Sequence, residues 1–133
     1  ANFSIIERNY ISKKIIYGWD NNNSEAYNIL DLTFKFLTNN GMSQNNFEIY
    51  DFDKKNLPIK KFDMIISLYS LDYHYDFKIY EDYFREISTK NTKFIFDTIR
   101  SDYFYKKFEN VKIIANHHQA VHQSKRLICM GFK

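Results

Sequence analysis

The sequence predicts an α/β domain built on a mostly parallel sheet, and three observations support this prediction. Strand-like apolar runs alternate with helical patterns along the chain, which is typical of parallel strands joined by crossovers. The run from Met64 to Leu68 is almost continuously apolar, as expected for a strand buried on both faces of such a sheet. The last two apolar runs are joined only by a short polar stretch, which predicts an antiparallel pair. A chain of 133 residues has room for one domain, which we expect over 1–133.

The first half of the chain predicts a strand, a helix and a second strand. The run Phe3–Ile6 favours β structure. Asn22 and Glu25 have the spacing of a capping box, which predicts a helix that the Asn-Asn-Gly sequence at 39–41 ends. The run Phe47–Tyr50 predicts the next strand. The pattern between the first strand and the helix is ambiguous.

The second half predicts helices between further strands. Four residues share one helical face: Tyr80, Tyr83, Phe84 and Ile87. The segment from Ser101 to Phe108 interleaves aromatic residues and lysines, a pattern that can stack bases. An amphipathic helix that packs Phe104 and Phe108 onto the sheet explains it as well, and we favour that interpretation. The remaining predicted strands are Lys93–Phe96, Val111–Ile114 and Leu127–Met130.

Composition excludes several classes of protein. A formal net charge of +3 in a chain with 26% charged residues is too small to imply binding to nucleic acid or to a membrane surface. Cys129 is the only cysteine, so neither an internal disulfide nor a cysteine metal site is predicted. No run approaches the roughly 18 apolar residues of a membrane span. We therefore expect a cytoplasmic protein.

Acidic residues follow three of the predicted strands. Glu7 ends the first, Asp51 and Asp53 follow the second, and Asp97 ends the strand at Lys93–Phe96. Ligands of open parallel sheets bind outside the carboxyl ends of the strands, where a carboxylate can accept hydrogen bonds from ribose hydroxyls or a nucleobase amine. Turns also favour acids for local reasons, so each acid alone has a plain structural explanation.

One segment of the chain carries a resemblance to a known family. The stretch from Phe62 to Tyr75 reads FDMIISLYSLDYHY and resembles the fourth-strand motif of class I S-adenosylmethionine-dependent methyltransferases. In its serine, aromatic, His and Tyr positions it is similar to sugar O-methyltransferases. The tail from Val111 to Phe132 resembles the antiparallel strands that close the sheet of that family. The resemblance implies a Rossmann-like methyltransferase sheet with an antiparallel C-terminal strand.

The same resemblance implies a cofactor site for S-adenosylmethionine. Glu7 matches the family's acid after the second strand, which holds the cofactor ribose. Asp51, with Phe52 and Asp53 beside it, matches the acidic segment where the adenine lies. Ser67, in the fourth-strand motif, is assigned to the same site.

The family's first strand and Gly-rich turn are expected before Glu7. The three glycines, Gly18, Gly41 and Gly131, cannot form that turn, because no two lie within 20 residues of each other. We therefore expect an N-terminally truncated domain. Such a domain exposes sheet edges, which favours a homodimer or aggregation.

The implied reaction is transfer of a methyl group to a hydroxyl of a sugar or a similar small molecule. His74 is the candidate general base, and Asp72 is expected to orient it. Tyr75, Ser70 and Tyr69 are expected to bind and orient the acceptor. A histidine held in a loop by a backbone hydrogen bond is the alternative interpretation of His74.

Two other classes of function remain open. The first is a non-catalytic Rossmann-like module that binds a nucleotide or a protein partner. The second is a nucleic-acid-binding module that uses four cations: Lys106, Lys107, Lys125 and Arg126. His118 and His122 have i, i+4 spacing, but they lie between strand-like runs, so no metal site is predicted. Trp19 is interpreted as a core residue, with a position at the mouth of the site as the alternative.

Overall fold

The chain folds into an α/β arrangement in a computed structural model, as the sequence predicts. The structure describes residues 1–11, 27–54, 56–72, 75–117 and 123–133. The chain divides into two compact units, Ala1–Pro58 and Ile59–Lys133, and each is described by itself. The prediction of a single domain over 1–133 stays a prediction.

The first unit holds a parallel strand pair and a helix. Strand β1 (Phe3–Glu7) pairs in parallel with the later strand (Phe47–Asp51), in a register that sets Glu7 opposite Asp51. The later strand is β4. Between β1 and β4 lie two short antiparallel strands, β2 (Tyr10–Ile11) and β3 (Tyr27–Asn28), followed by helix α1 (Leu30–Asn39). Because the two strands of the parallel pair run in the same direction, their terminal acids lie at the same edge.

Helix α1 begins later than the sequence pattern predicts. Tyr27 and Asn28 belong to the pairing with β2, and Ile29 at the N-cap is extended, with φ −117° and ψ 114°. The side chain of Asn9 accepts a hydrogen bond from the Leu30 N–H at 3.1 Å and so satisfies one of the free donors at the start of the helix. The predicted capping box lies outside the described residues. The predicted stop is confirmed, since Gly41 has a φ of 87°.

The second unit is built on a four-stranded mixed sheet. Its strands are β5 (Met64–Ser67), β6 (Lys93–Thr98), β7 (Phe108–Asn116) and β8 (Lys125–Phe132), in the order β5-β6-β8-β7. Strands β5 and β6 are parallel, whereas β8 is antiparallel to both β6 and β7. The predicted antiparallel pair at the end of the chain is therefore confirmed.

Two helices connect these strands at the predicted places. Helix α2 (Glu81–Ile87) follows a 3-10 turn at Phe77–Tyr80, and helix α3 (Ser101–Lys107) leads directly into β7. Phe104 in α3 and Phe108 at the start of β7 are buried, as the amphipathic interpretation of this segment predicts. No helix among the described residues is long and apolar enough to cross a membrane.

The core of the second unit consists largely of phenylalanine. The Phe77 ring is fully buried, and its centroid lies 5.1 to 6.0 Å from those of five other rings. Those rings belong to Phe84, Phe96, Phe104, Phe108 and Phe132. Cys129 is buried in the same cluster, and its desolvation raises the pKa of the thiol to about 12. This thiol is therefore a packing group, not a nucleophile.

Strand β5 is buried on one face only, so the prediction of burial on both faces is wrong. Met64 is 45% exposed and Ile66 is 57% exposed, while Ile65 packs against the core. Side chains alternate along a strand, so Ile65 faces the core that α2 and α3 share, whereas Met64 and Ile66 lie on the opposite face. A continuous apolar run therefore did not distinguish a strand with one buried face from a strand buried on both faces.

Phe77→Ala is expected to lower the free energy of unfolding by about 3–5 kcal/mol, because it leaves a cavity among five aromatic rings. Ile79→Ala is the matched control, because Ile79 lies two residues away and is 64% exposed. Urea unfolding of both variants measures the difference. A loss at Phe77 no larger than the loss at Ile79 would contradict the described core.

Candidate active site

The acids of the first unit meet at one edge of the strand pair. Glu7 and Asp51 are direct neighbours across β1 and β4. Asp51 Oδ1 accepts a hydrogen bond from the Asp53 N–H at 3.1 Å, which tightens the turn that begins at Phe52. Asp53 is held by Arg8, with Nη2 to Oδ1 at 2.9 Å and Nε to Oδ2 at 3.0 Å. Four of the five residues assigned from sequence to the cofactor thus lie together in the first unit, whereas Ser67 belongs to the second unit.

Glu7 differs electrostatically from its neighbours. The residue reaches solvent, yet the atoms packed around its carboxyl group partly desolvate it and raise its pKa. Asp53 forms an ion pair with the Arg8 guanidinium, whereas Glu7 lies beside the Asp51 carboxylate. Partial desolvation strengthens the hydrogen bonds that such a carboxylate accepts from a ligand hydroxyl.

Asp97 is the centre of a polar cluster in the second unit. It is the next-to-last residue of β6, and its side chain is fully buried. Arg126, its cross-strand neighbour on β8, donates from Nε to Oδ1 at 3.0 Å and from Nη2 to Oδ2 at 3.1 Å. The backbone N–H of Tyr69 donates to Oδ2 at 3.1 Å, and His117 Nε2 lies 3.2 Å from Oδ1. Three donors from Arg126 and Tyr69, together with the His117 ring, therefore surround two buried oxygens and fix the position of this carboxylate.

His117 lies between Asp97 and a phenol. Its Nδ1 is 3.4 Å from the Tyr69 hydroxyl, and the two rings are 5.5 Å apart at their centroids. An ionised carboxylate only accepts hydrogen bonds, so His117 Nε2 carries the proton and Nδ1 has the free lone pair. The Tyr69 O–H is placed to donate to that lone pair. The three groups form a chain of hydrogen bonds from the buried acid to the surface.

The loop after β5 is tightly wound. Ser67 Oγ accepts a hydrogen bond from the Leu71 N–H at 3.1 Å, and the Tyr75 N–H donates to Ser70 O at 3.0 Å. Tyr69 and Asp72 have φ angles of 57° and 60°, in the left-handed region that side chains other than Asn and Asp rarely adopt. Such conformations cost roughly 1–3 kcal/mol each and persist where surrounding contacts enforce them.

A buried clamp enforces the conformation at Asp72. The Asp72 side chain is fully buried and accepts hydrogen bonds from Thr98 Oγ1 at 2.6 Å and from Arg100 Nε at 3.0 Å. Arg100 Nη2 also donates to Asp72 and reaches Asp76 Oδ1 at 2.7 Å. The hydrogen bond to Asp72 raises the pKa of Arg100 further above its usual range. The clamp joins the β5 loop to the end of β6.

The structure places most, but not all, of the residues predicted for the acceptor side. Tyr69, Ser70 and Tyr75 lie with Asp72 in the loop after β5, and Ser67, which was assigned to the cofactor, is the last residue of β5. His74 lies outside the described residues, as do Trp19, His118 and His122, so their predicted roles stay predictions. The Asp72 carboxylate accepts hydrogen bonds from Thr98, from Arg100 and from the Phe77 N–H.

Sequence reasoning missed the residues that surround Asp97. His117 and Arg126 are 20 and 29 positions away from it, and no local pattern joins them. Asp97 itself was identifiable as an acid that ends a strand. The antiparallel pairing of the last two strands was also identifiable, but the register that sets Arg126 opposite Asp97 was not.

Three of the four cations considered for nucleic-acid binding have partners inside the second unit. Arg126 binds Asp97, Lys107 Nζ lies 2.7 Å from Glu81 Oε1, and Lys125 Nζ lies 3.5 Å from Ser101 Oγ. The hydrogen bond from Lys107 lowers the pKa of Glu81, and Arg85 adds to this effect. Charges engaged in this way contribute little to a phosphate-binding surface. Within the described ranges, no group of three or more His, Cys, Asp or Glu residues could hold a metal ion.

Comparison with protein-family models, curated proteins and solved structures finds no significant match to this chain.

Asp72→Asn is expected to lower the free energy of unfolding by about 1.5–3 kcal/mol, because Arg100 loses a charged, buried partner. Asparagine tolerates the left-handed backbone, so the substitution isolates the charge. Asp76→Asn, which removes the exposed partner of the same guanidinium, is expected to cost less than about 1 kcal/mol. Chemical denaturation measures both. Equal effects of the two substitutions would show that the clamp does not hold the loop.

Proposed function

We propose that this chain is a class I methyltransferase-like domain, with transfer of a methyl group from S-adenosylmethionine to a hydroxyl of a sugar or similar small molecule as its reaction. One observation carries the proposal, namely the way the strands pair. Strands β1 and β4 are parallel, β5 and β6 are parallel, and β8 is antiparallel to its neighbours β6 and β7. These are the pairings that the resemblance of the sequence implies for a Rossmann-like methyltransferase sheet.

The strand pairings are informative because each strand could have paired with its nearest neighbour in the sequence. Strand β4 pairs with β1 although β2, β3 and α1 separate them in the chain. The final strand lies between β6 and β7 and does not add at the β7 edge. Sequential strands that pair with their nearest neighbours would give neither feature. Parallel pairs closed by an antiparallel C-terminal strand are what the resemblance implies, and this agreement supports the proposal.

The acids of the first unit suit the nucleoside half of the cofactor. The two ribose hydroxyls of a nucleoside are donors, and the partly desolvated carboxylate of Glu7 is an acceptor at the carboxyl end of a parallel strand. Asp51 lies directly beside it, where a nucleobase amine could donate. Phe52 follows and offers an apolar ring next to the base. When bound, the cofactor would supply an activated methyl group on a sulfonium.

The loop after β5 suits a small hydroxylated acceptor. Tyr69, Ser70 and Tyr75 bring hydroxyl groups to one short segment, and side-chain hydroxyls both donate to and accept from sugar hydroxyls. The clamp at Asp72 fixes this segment, and much of the catalysis of methyl transfer is such positioning. The expected compartment is the cytoplasm.

A non-catalytic module that binds a nucleotide or a protein partner is the second candidate. Such a module would keep the nucleoside contacts of Glu7 and lack turnover.

Titration calorimetry with S-adenosylhomocysteine tests the proposal. We expect binding in the micromolar range, and a loss of about tenfold or more in Glu7→Gln, since a hydrogen bond to a charged group contributes about 1.5–3 kcal/mol. Glu48→Gln is the matched control, because Glu48 is an exposed glutamate on β4 away from the carboxyl end. A folded wild-type protein that does not bind, or equal losses in the two variants, would refute the cofactor assignment.

A further inference from the structure

The chain of hydrogen bonds from Asp97 through His117 to Tyr69 runs from the interior to solvent. The Asp97 side chain is fully buried, the His117 side chain is 22% exposed, and Tyr69 is 42% exposed. The two contacts measure 3.2 Å and 3.4 Å. A histidine between a buried carboxylate and a surface hydroxyl has the arrangement of an activated nucleophile or base.

The direction of the protons follows from Asp97. Arg126 binds both of its oxygens, so the carboxylate is ionised and offers His117 only an acceptor. His117 therefore donates from Nε2 and accepts at Nδ1, the nitrogen that faces Tyr69. Because Arg126 balances the charge of Asp97, the main effect of the acid is to fix the ring and its tautomer.

A nearby cation also stabilises negative charge on the Tyr69 phenol. The Arg126 guanidinium carbon lies 5.7 Å from the centroid of the Tyr69 ring. A cation at that distance attracts the charge that develops when the hydroxyl gives up its proton. One arginine thus serves both ends of the chain of hydrogen bonds.

The backbone of Tyr69 is held in an uncommon conformation by the same acid. Tyr69 has a φ of 57°, and its N–H donates to Asp97 Oδ2 at 3.1 Å. A tyrosine gains nothing locally from this conformation, which is sterically costly for a bulky residue. It sets the phenol opposite His117, and strained residues of this kind cluster at functional sites.

We propose that Tyr69, His117 and Asp97 form a proton relay in which the Tyr69 hydroxyl takes the proton of the acceptor. Tyr69 is the catalytic residue, and His117 and Asp97 act through it as positioning residues. The acceptor hydroxyl transfers its proton to Tyr69 Oη while the Tyr69 proton moves to His117 Nδ1. Bound S-adenosylmethionine would supply the methyl group, so that an O–CH3 bond would replace the S–CH3 bond and a neutral thioether would be left. The His117 imidazolium then releases its proton to solvent.

The identity of the acceptor in this relay rests on the proposed function, but the relay itself is a property of the second unit. It can therefore be tested without any cofactor or acceptor. Phenylmethylsulfonyl fluoride reports an activated phenol: the phenol oxygen bonds to sulfur, the S–F bond breaks, fluoride leaves and the phenol proton passes to His117.

The experiment measures the labelling rate of each tyrosine by peptide mass spectrometry. Tyr69 is expected to react about 100-fold faster than Tyr105, the low end of a general-base contribution. Tyr105 is the internal control, because it is 50% exposed on α3. His117→Gln is expected to lower the Tyr69 rate about 100-fold and to leave the Tyr105 rate unchanged. A urea-unfolding midpoint close to that of the wild type shows that the variant is folded.

The outcomes separate the relay from the proposed function. A Tyr69 rate no higher than that of Tyr105, or one unchanged in His117→Gln, overturns the relay. Fast, His117-dependent labelling in a protein that does not bind S-adenosylhomocysteine supports the relay and refutes the cofactor assignment. Binding of S-adenosylhomocysteine without fast labelling supports the cofactor assignment and overturns the relay.

Discussion

The buried carboxylate of Asp97 is the constraint on which the second unit depends. A charge removed from water is tolerated only where hydrogen bonds replace hydration, and an unpaired one costs several kcal/mol. Its partners come from β8, from the end of β7 and from the loop after β5. Meeting one electrostatic requirement therefore fixes the position of three segments at the carboxyl edge of the sheet. The Asp72 carboxylate is also buried, and hydrogen bonds from Thr98 and Arg100 replace its hydration in the same way.

The two layers of this unit have different tasks. The phenylalanine cluster under the sheet supplies burial, with Phe77 at its centre. The polar layer at the carboxyl edge contributes less to stability, because the hydrogen bonds made there replace bonds to water. It holds Tyr69 and Asp72 in left-handed conformations that their surroundings must enforce. A stable core that supports a strained, polar edge is the arrangement expected of a site that binds a ligand.

Local patterns predicted the elements well and their long-range contacts poorly. Periodicity located α2, α3 and most of the strands, because it reflects which face of each element is buried. It extended α1 too far toward the N-terminus, because Tyr27 and Asn28 pair with β2. Helix propensity contains no information about such a long-range pairing. Periodicity also predicted that β5 is buried on both faces, although a strand with one exposed face can be equally apolar. The relay around Asp97 depends on register across 20 to 29 residues, and His74 lies outside the described residues.

The tautomer of His117 is the most direct test of this account. Nitrogen-15 NMR of the imidazole, at a pH where the ring is neutral, distinguishes a proton on Nε2 from one on Nδ1. An ionised Asp97 at 3.2 Å from Nε2 requires the Nε2–H form, which we predict as the dominant species. A dominant Nδ1–H form would mean that His117 does not donate to Asp97, and it would contradict the arrangement on which the site depends.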